Sequence, residues 1–337
     1  MTPLVFATKV IIRGCLNQIK AYFLPSAFTL PHCDKIYVMN RVVVLDKPRG
    51  LTSQQAVTSV KHALGVKKAG HAGTLDPMAT GVLLVCVGEA TKISRFLMDL
   101  QKEYLATVKL GERTDTLDAE GEVVERVEGV VPSSSAVLEV LDKFRGEIMQ
   151  RPPMYSAIKK NGTPLYKLAR KGIEVERKER PVTIYSLLLE AYEFPYLTIR
   201  LSCSKGTYVR TLADDLAREL GTVGHLTALR RTAVGTHRVE DALTLDTLGE
   251  TLGLEAAGAI EIEEALSHIR VVSMRQEDFL LARNGRPVSA TPYGLEDGPD
   301  SLLMKTPFGV PFALGQVEGG QLRVGRILHL SAESLNQ

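Results

Sequence analysis

From Arg41 onward, apolar positions recur along the chain with two different periods. Residues 42–45 are a short, mostly β-branched apolar run that stops at Asp46, Pro48 and Gly50, the pattern of a strand entering a turn. Thr52 or Ser53 then caps a helix over 54–64, where Ala56, Val57, Val60 and Leu64 return at helical spacing and Gly65 ends the run. A continuous apolar run over 82–87, closed by Gly88, predicts a buried strand, and 104–110 alternates as a half-buried strand does. Two more strands are expected at 183–189 and 197–203. The clearest helix is 208–220, because Val209, Leu212, Ala213, Leu216, Ala217 and Leu220 form one stripe before Gly221. A last helix is predicted over 260–269, followed by a tail whose short runs at 310–313 and 322–328 are separated by Gly and Pro and predict a small β-rich domain. The whole pattern is that of a mixed α+β chain, and no repeat of fixed period suggests a solenoid or propeller.

Length and composition change this picture little. A chain of 337 residues implies one large domain and a smaller one, and 45% apolar with 24% charged residues is ordinary for a globular fold. A net charge of +2 diagnoses no nucleic-acid partner, since clustering of basic residues matters more than their sum. Cys15, Cys33, Cys86 and Cys203 lie far apart without metal-ligand spacing, so neither a zinc site nor a disulfide framework is expected, and a reducing cytoplasm is the simplest location. No run of about 18 apolar residues predicts a membrane helix. Residues 1–38 stand apart: Lys9, Arg13, Lys20 and Lys35 face one acid, Asp34. They read either as a targeting segment or as an extension ahead of a start at Met39, and the latter is the expectation adopted.

The densest chemistry lies in GHAGTLDPMATGVLLV, residues 70–85. Its glycines allow close backbone approach, and Pro77 holds Asp76 away from helical geometry, so the carboxylate can project from a fixed loop. From the residues alone two roles stay open for Asp76, a cleft carboxylate or a simple turn former, and His71 can be merely a hydrogen-bonding loop residue. A second segment, 151–180, carries Arg151, Lys159, Lys160, Lys167, Arg170, Lys171, Arg177, Lys178 and Arg180 against three glutamates, with Tyr155 and Tyr166 interleaved. That composition suits phosphate contact plus base stacking, or a solvated charged face.

The 70–85 loop, followed by GEATK (88–92), resembles the signature loop of TruB-type pseudouridine synthases. Further matching blocks stand in the same order: LDKPRG (45–50), KEYLATVKLGERTDTLDAEG (102–121), PPMYSAIKKNGTPLYKLARKGIEVERKERPV (152–182) and CSKGTYVRTLADDLARELG (203–221). The resemblance implies the pseudouridine synthase fold, α+β with a mixed, largely antiparallel sheet flanked by helices. It implies a catalytic domain over 39–268 with an RNA-binding thumb at about 151–182, and a small β-rich, PUA-like domain over 269–337, for which FLLARNGRPV (279–288) is the weak signal. By the same resemblance Asp76 is the catalytic residue, Arg210 its ionic partner and Tyr104 the active-site tyrosine. Tyr208 and Leu229 match pocket positions, and His71 and Lys47 belong beside the substrate. Without the resemblance, Arg210 would pair with Asp214 one helical turn away, and Tyr104, Tyr208 and Leu229 would be core residues. The implied reaction is isomerisation of uridine-55 in the T-loop of tRNA, by a cytoplasmic, stand-alone monomer with no cofactor, metal, guide RNA or membrane. Competing readings are a guide-dependent relative and a non-catalytic RNA-binding protein, the latter disfavoured because binding alone would not require Asp76, Tyr104 and Arg210 together.

Overall fold

The computed structural model describes residues 40–160, 162–250 and 258–329, so the alternative readings of 1–38, with Cys15 and Cys33, lie outside the described residues. The strands of the larger sheet are β1 (Arg41–Lys47), β2 (Ala69–His71), β3 (Thr80–Val87), β4 (Lys102–Leu110), β5 (Gly146–Gln150), β6 (Arg180–Glu193), β7 (Tyr196–Cys203), β8 (Gly224–Val234) and β9 (Ala259–Glu261). They form one sheet in the order β9-β1-β3-β8-β4-β7-β6-β5, with β2 beside β3 and the short strand His237–Arg238 beside β8. Neighbours run antiparallel except β3 and β8, which are parallel where Arg230 faces Thr80 and Arg231 faces Gly81.

Burial explains the two kinds of strand. β1 and β3 are apolar without alternation because both of their faces are covered, whereas β4 alternates strictly between buried and half-exposed positions. One face packs on helices α1 (Ser53–Ala63) and α2 (Val209–Glu219), through Ala56, Val57 and Val60 from the first and Leu212, Ala213 and Leu216 from the second. The other face meets Ile93, Leu97 and Ile262, and also Leu303, Leu314 and Leu328 from the C-terminal part of the chain. Buried Cys86 and Cys203 are free thiols. Among the described residues no helix is long and apolar enough to cross a membrane.

The C-terminal part forms a second sheet of 5 strands, ordered Arg270–Ser273, Leu302–Lys305, Pro311–Glu318, Gln321–Ile327 and Val288–Ser289. It has its own core, in which Phe279 and Phe312 meet edge to face with ring centroids 5.0 Å apart. The single helix expected over 260–269 is not formed. Ala259–Glu261 instead pairs with β1, Ile262–Ala265 makes one short helix, and Arg270 opens the second sheet. The apolar residues there serve a strand edge, a short helix and a sheet in turn, so their spacing imitates a helix without being one.

Local signals fix the segments that frame the site. Thr52 caps α1: its hydroxyl accepts from the Gln55 N–H at 3.1 Å, and the Gln55 side chain accepts from the Thr52 N–H at 2.8 Å. Ser53 is thereby released for another task. Its hydroxyl donates to the Leu75 carbonyl at 3.0 Å and accepts the Leu75 N–H at 2.8 Å, pinning the residue that precedes Asp76. The parallel crossing of β3 and β8 requires a glycine, because Gly81 has φ +100° and a Cβ there would lie 2.1 Å from the Arg231 carbonyl oxygen. Gly81→Ala is expected to destabilise the fold by about 3 kcal/mol or more, from backbone strain and collision together. Urea unfolding checks this, and an unchanged midpoint would mean that the two strands do not approach so closely.

Candidate active site

Asp76 sits at the start of the tight turn before β3, where the Ala79 N–H donates to its carbonyl at 3.1 Å. Three contacts hold the turn from below: the pair of bonds from Ser53, the Gly50 N–H on the Pro77 carbonyl at 2.8 Å, and the Lys47 amine. The carboxylate projects from this turn and is one-third exposed, into a cleft of about 670 Å³. Such a volume falls in the usual range for an enclosed small-molecule site.

Across the cleft Arg210, in the first turn of α2, meets Asp76 with two nitrogens: Nε lies 2.9 Å from Oδ2, and an Nη donates to Oδ1 at 3.1 Å. The rest of the guanidinium is equally engaged. It donates to the Thr116 carbonyl at 2.9 Å and the Tyr155 carbonyl at 2.8 Å, and it lies 3.3 Å from the Asp118 carboxylate. Arg210 and Asp118 side chains are each 5% exposed, so this is a buried charge network whose orientation is fixed. Leu117, between two of the contributing residues, has the left-handed φ of 61°. That turn lets the Thr116 carbonyl and the Asp118 carboxylate face the same cation. The helical neighbour Asp214 is not the partner of Arg210; it is taken by Arg218 at 3.1 Å and Arg113 at 3.2 Å. Burial raises the Asp76 carboxyl above the ordinary carboxylate range, and the nearby Arg210 charge opposes the rise.

Tyr104, Tyr208 and Leu229 all line the same cleft. Tyr104 comes from β4 and Leu229 from the adjacent β8, and both are almost fully buried. Burial pushes the Tyr104 phenol up, against the charge of Arg231, so it is held neutral. Tyr208 precedes α2, and its backbone is clamped by Gln150: the Tyr208 N–H donates to the Gln150 side chain at 2.7 Å, and the Gln150 amide donates to the Tyr208 carbonyl at 3.1 Å. The Arg180 guanidinium lies 5.7 Å from the Tyr208 ring centre.

Lys47 and His71 do not line the cleft. The Lys47 side chain is fully buried, and its amine donates to the carbonyls of Leu51 at 2.7 Å, Pro48 at 2.9 Å and Pro77 at 3.4 Å. The Lys47 amine, engaged by three carbonyls, ties the 45–50 turn to the Asp76 turn. Burial lowers it to about 8, with the Asp76 charge opposing. His71 lies on β2, half-buried, with its Nδ1 unpartnered and its basicity lowered by burial and by Arg231. Sequence reading passed over Asp118, Gln150 and Arg231. Asp118 stood inside a quoted block, but nothing local marks it as a partner of a residue so distant in the chain.

The basic 151–180 segment forms a short hairpin, Lys159–Lys160 with Thr163–Pro164, and one turn of helix, Leu165–Ala169. Lys159, Lys160, Lys167, Arg170, Lys171 and Lys178 are exposed on it. Its base contributes Tyr155, Ser156 and Arg180 to the cleft wall, so an exposed cationic arm stands beside the Asp76 carboxylate.

Residues 61–209 match the family model of the TruB family pseudouridylate synthase N-terminal domain, and residues 210–269 match that of the tRNA pseudouridylate synthase B C-terminal domain. The chain belongs to the TruB family. Asp76, Tyr104 and Tyr208 come from the first matched segment, while Arg210 and Leu229 come from the second, so the cleft is assembled from both. The chain is 48% identical over 241 residues to tRNA pseudouridine synthase B of Pasteurella multocida, covering 70% of this chain and 78% of that one. It is 49% identical over 254 residues to tRNA pseudouridine synthase B of Aromatoleum aromaticum, covering 75% and 82%. The fold is shared with the archaeal box H/ACA sRNP Nop10-Cbf5 complex, at a TM-score of 0.65 and 23% identity over 87% of this chain and 88% of the other.

Proposed function

We propose that this chain converts uridine-55 in the T-loop of tRNA to pseudouridine, with Asp76 as the catalytic residue. The observation that carries this reading is the carboxylate of Asp76, held by the buried fork of Arg210 at the floor of a cleft lined by two tyrosines and a leucine. A uridine reaches such a floor only when flipped out of its loop, and Tyr104, Tyr208 and Leu229 offer the apolar and aromatic surfaces that hold an extruded base. The exposed lysines and arginines of the 151–180 arm supply phosphate contacts beside the opening.

The chemistry asks for one carboxylate. Either its oxygen bonds to C1′ as the C1′–N1 bond breaks, or it takes the C2′ proton as that bond breaks and a C1′=C2′ double bond forms. The released base turns and C5 bonds to C1′, either as the bond from C1′ to the Asp76 oxygen breaks or as C2′ takes its proton back from Asp76; the C5 proton then leaves and N1 gains one. Atoms and electrons balance without an oxidant, a reductant or a second substrate. Arg210 keeps Asp76 ionised and aimed, which both routes require. Tyr104 stacks on the base and keeps water from it. We further read the protein as a cytoplasmic monomer that needs no guide RNA.

The test is incubation of purified protein with an unmodified tRNA transcript, with no other RNA added, followed by mapping of pseudouridine. One modified position, uridine-55, is expected. Product at other positions, or product only when a guide RNA is supplied, would overturn the reading.

A further inference from the structure

Arg231, 1% exposed, is the largest fully buried side chain among the described residues, and it lines the cleft. Its Nε donates to the Val82 carbonyl at 2.6 Å, and its terminal nitrogens donate to the carbonyls of Gly73 at 3.2 Å and Thr74 at 3.4 Å. These partners are neutral. Among the described residues no carboxylate pairs with it, because Asp76 and Asp118 both belong to Arg210. The preceding residue, Arg230, by contrast is held by both oxygens of Asp46, at 2.8 and 3.1 Å.

A buried cation without an anion is costly, and proteins retain one where an anion arrives during function. Its effect on the neighbourhood is consistent: burial lowers Lys47 and Lys102, each to about 8, and the Arg231 charge pushes both the same way. The cleft lining is itself cationic in excess, with Arg95, Lys102, Arg180, Lys205, Arg210 and Arg231 against Asp76 and Asp99, and the proposed reaction supplies a matching anion. When the C1′–N1 bond breaks by either route, the bonding pair stays with the ring and spreads over N1, O2 and O4.

Resting on the reading of the site as a pseudouridine synthase, we infer that Arg231 is the counter-charge for the uracil anion released at that step. Its grip on the Gly73 and Thr74 carbonyls holds the charge in place before the anion forms, so no reorganisation is needed when it does.

The experiment compares wild type, Arg231→Gln and Arg231→Lys in single-turnover reactions on tRNA transcripts carrying uridine or 5-fluorouridine at position 55. The readouts are loss of the target nucleoside and tRNA affinity. Fluorine makes the departing base more acidic, so that base depends less on an external cation. Arg231→Gln is expected to slow uridine detachment roughly 100-fold with little change in tRNA affinity, and to slow 5-fluorouridine detachment only about 10-fold. Arg231→Lys, which keeps the charge, is expected to stay within about 10-fold of wild type on both substrates. Equal slowing of both substrates by Arg231→Gln, or a lysine variant as slow as the glutamine variant, would overturn the inference and leave Arg231 as a brace for the loop. Should Arg231→Gln fail to fold, the folded lysine variant decides alone: a loss on the order of 100-fold counts against the inference, and near-wild-type rates count for it. A wild type that forms no pseudouridine overturns the proposed function, and this inference with it, whereas the variant outcomes bear on Arg231 only.

Discussion

Asp76→Asn is expected to reduce pseudouridine formation on the order of 10⁴-fold while leaving tRNA affinity within about threefold of wild type. The carboxamide has the same size and still accepts a hydrogen bond from Arg210, but it neither attacks C1′ nor takes a C2′ proton. The fold should tolerate it, because Arg210 keeps Asp118 and the carbonyls of Thr116 and Tyr155 as partners. Binding draws on the exposed cationic arm, which the substitution does not touch. Single-turnover rates and filter binding on the same preparation check both halves, and a folded variant that loses tRNA affinity, or one that keeps turning over, would remove Asp76 from the role assigned to it. The same group sets an acid limb. Activity needs the ionised form, and the folded-state value is raised, so the rate should fall as pH drops through a midpoint above the ordinary 3.8.

Arg210→Met is expected to cost about 3–5 kcal/mol of stability and roughly 10³-fold in rate. Methionine fills much of the volume but leaves the Asp118 carboxylate, whose side chain is 5% exposed, without its cation. Two carbonyls lose their donor as well. The acid limb should move to higher pH, because the charge opposing the rise of the Asp76 carboxyl has gone. Denaturant unfolding together with a pH–rate profile separates these effects. A variant within about 1 kcal/mol of wild type, with an unmoved acid limb, would show that the pair neither supports the fold nor tunes the carboxylate.

Much of the site was readable along the chain because its parts are set by near neighbours. Glycines and Asp-Pro mark the turn that carries Asp76, and the apolar stripe ending at Gly221 marks the helix that presents Arg210. The alternation of β4 puts Tyr104 on a buried face, and Thr52 with Gln55 announces the start of α1. Each of these follows from backbone sterics or from periodicity over a few residues. The order of the matching blocks added which of these side chains belong together.

From the residues alone partner choice was not readable, because it depends on sheet order and register; the pairing of Arg210 with Asp76 came only from the resemblance. Arg210 has Asp214 one turn away in sequence and takes Asp76 and Asp118 instead, since α2 packs with its first turn facing the β3 and 112–118 turns and its Asp214 facing Arg113 and Arg218. That the Lys47 amine sits on three carbonyls of two different turns was likewise set by the fold. The apolar spacing over 260–269 was shared among a strand, a short helix and a second sheet, which only the pairing of Ala259–Glu261 with β1 resolves. Arg231 carried no local mark of importance. The parallel crossing of β3 and β8 encloses it against the Val82, Gly73 and Thr74 carbonyls, and among the described residues no carboxylate pairs with it.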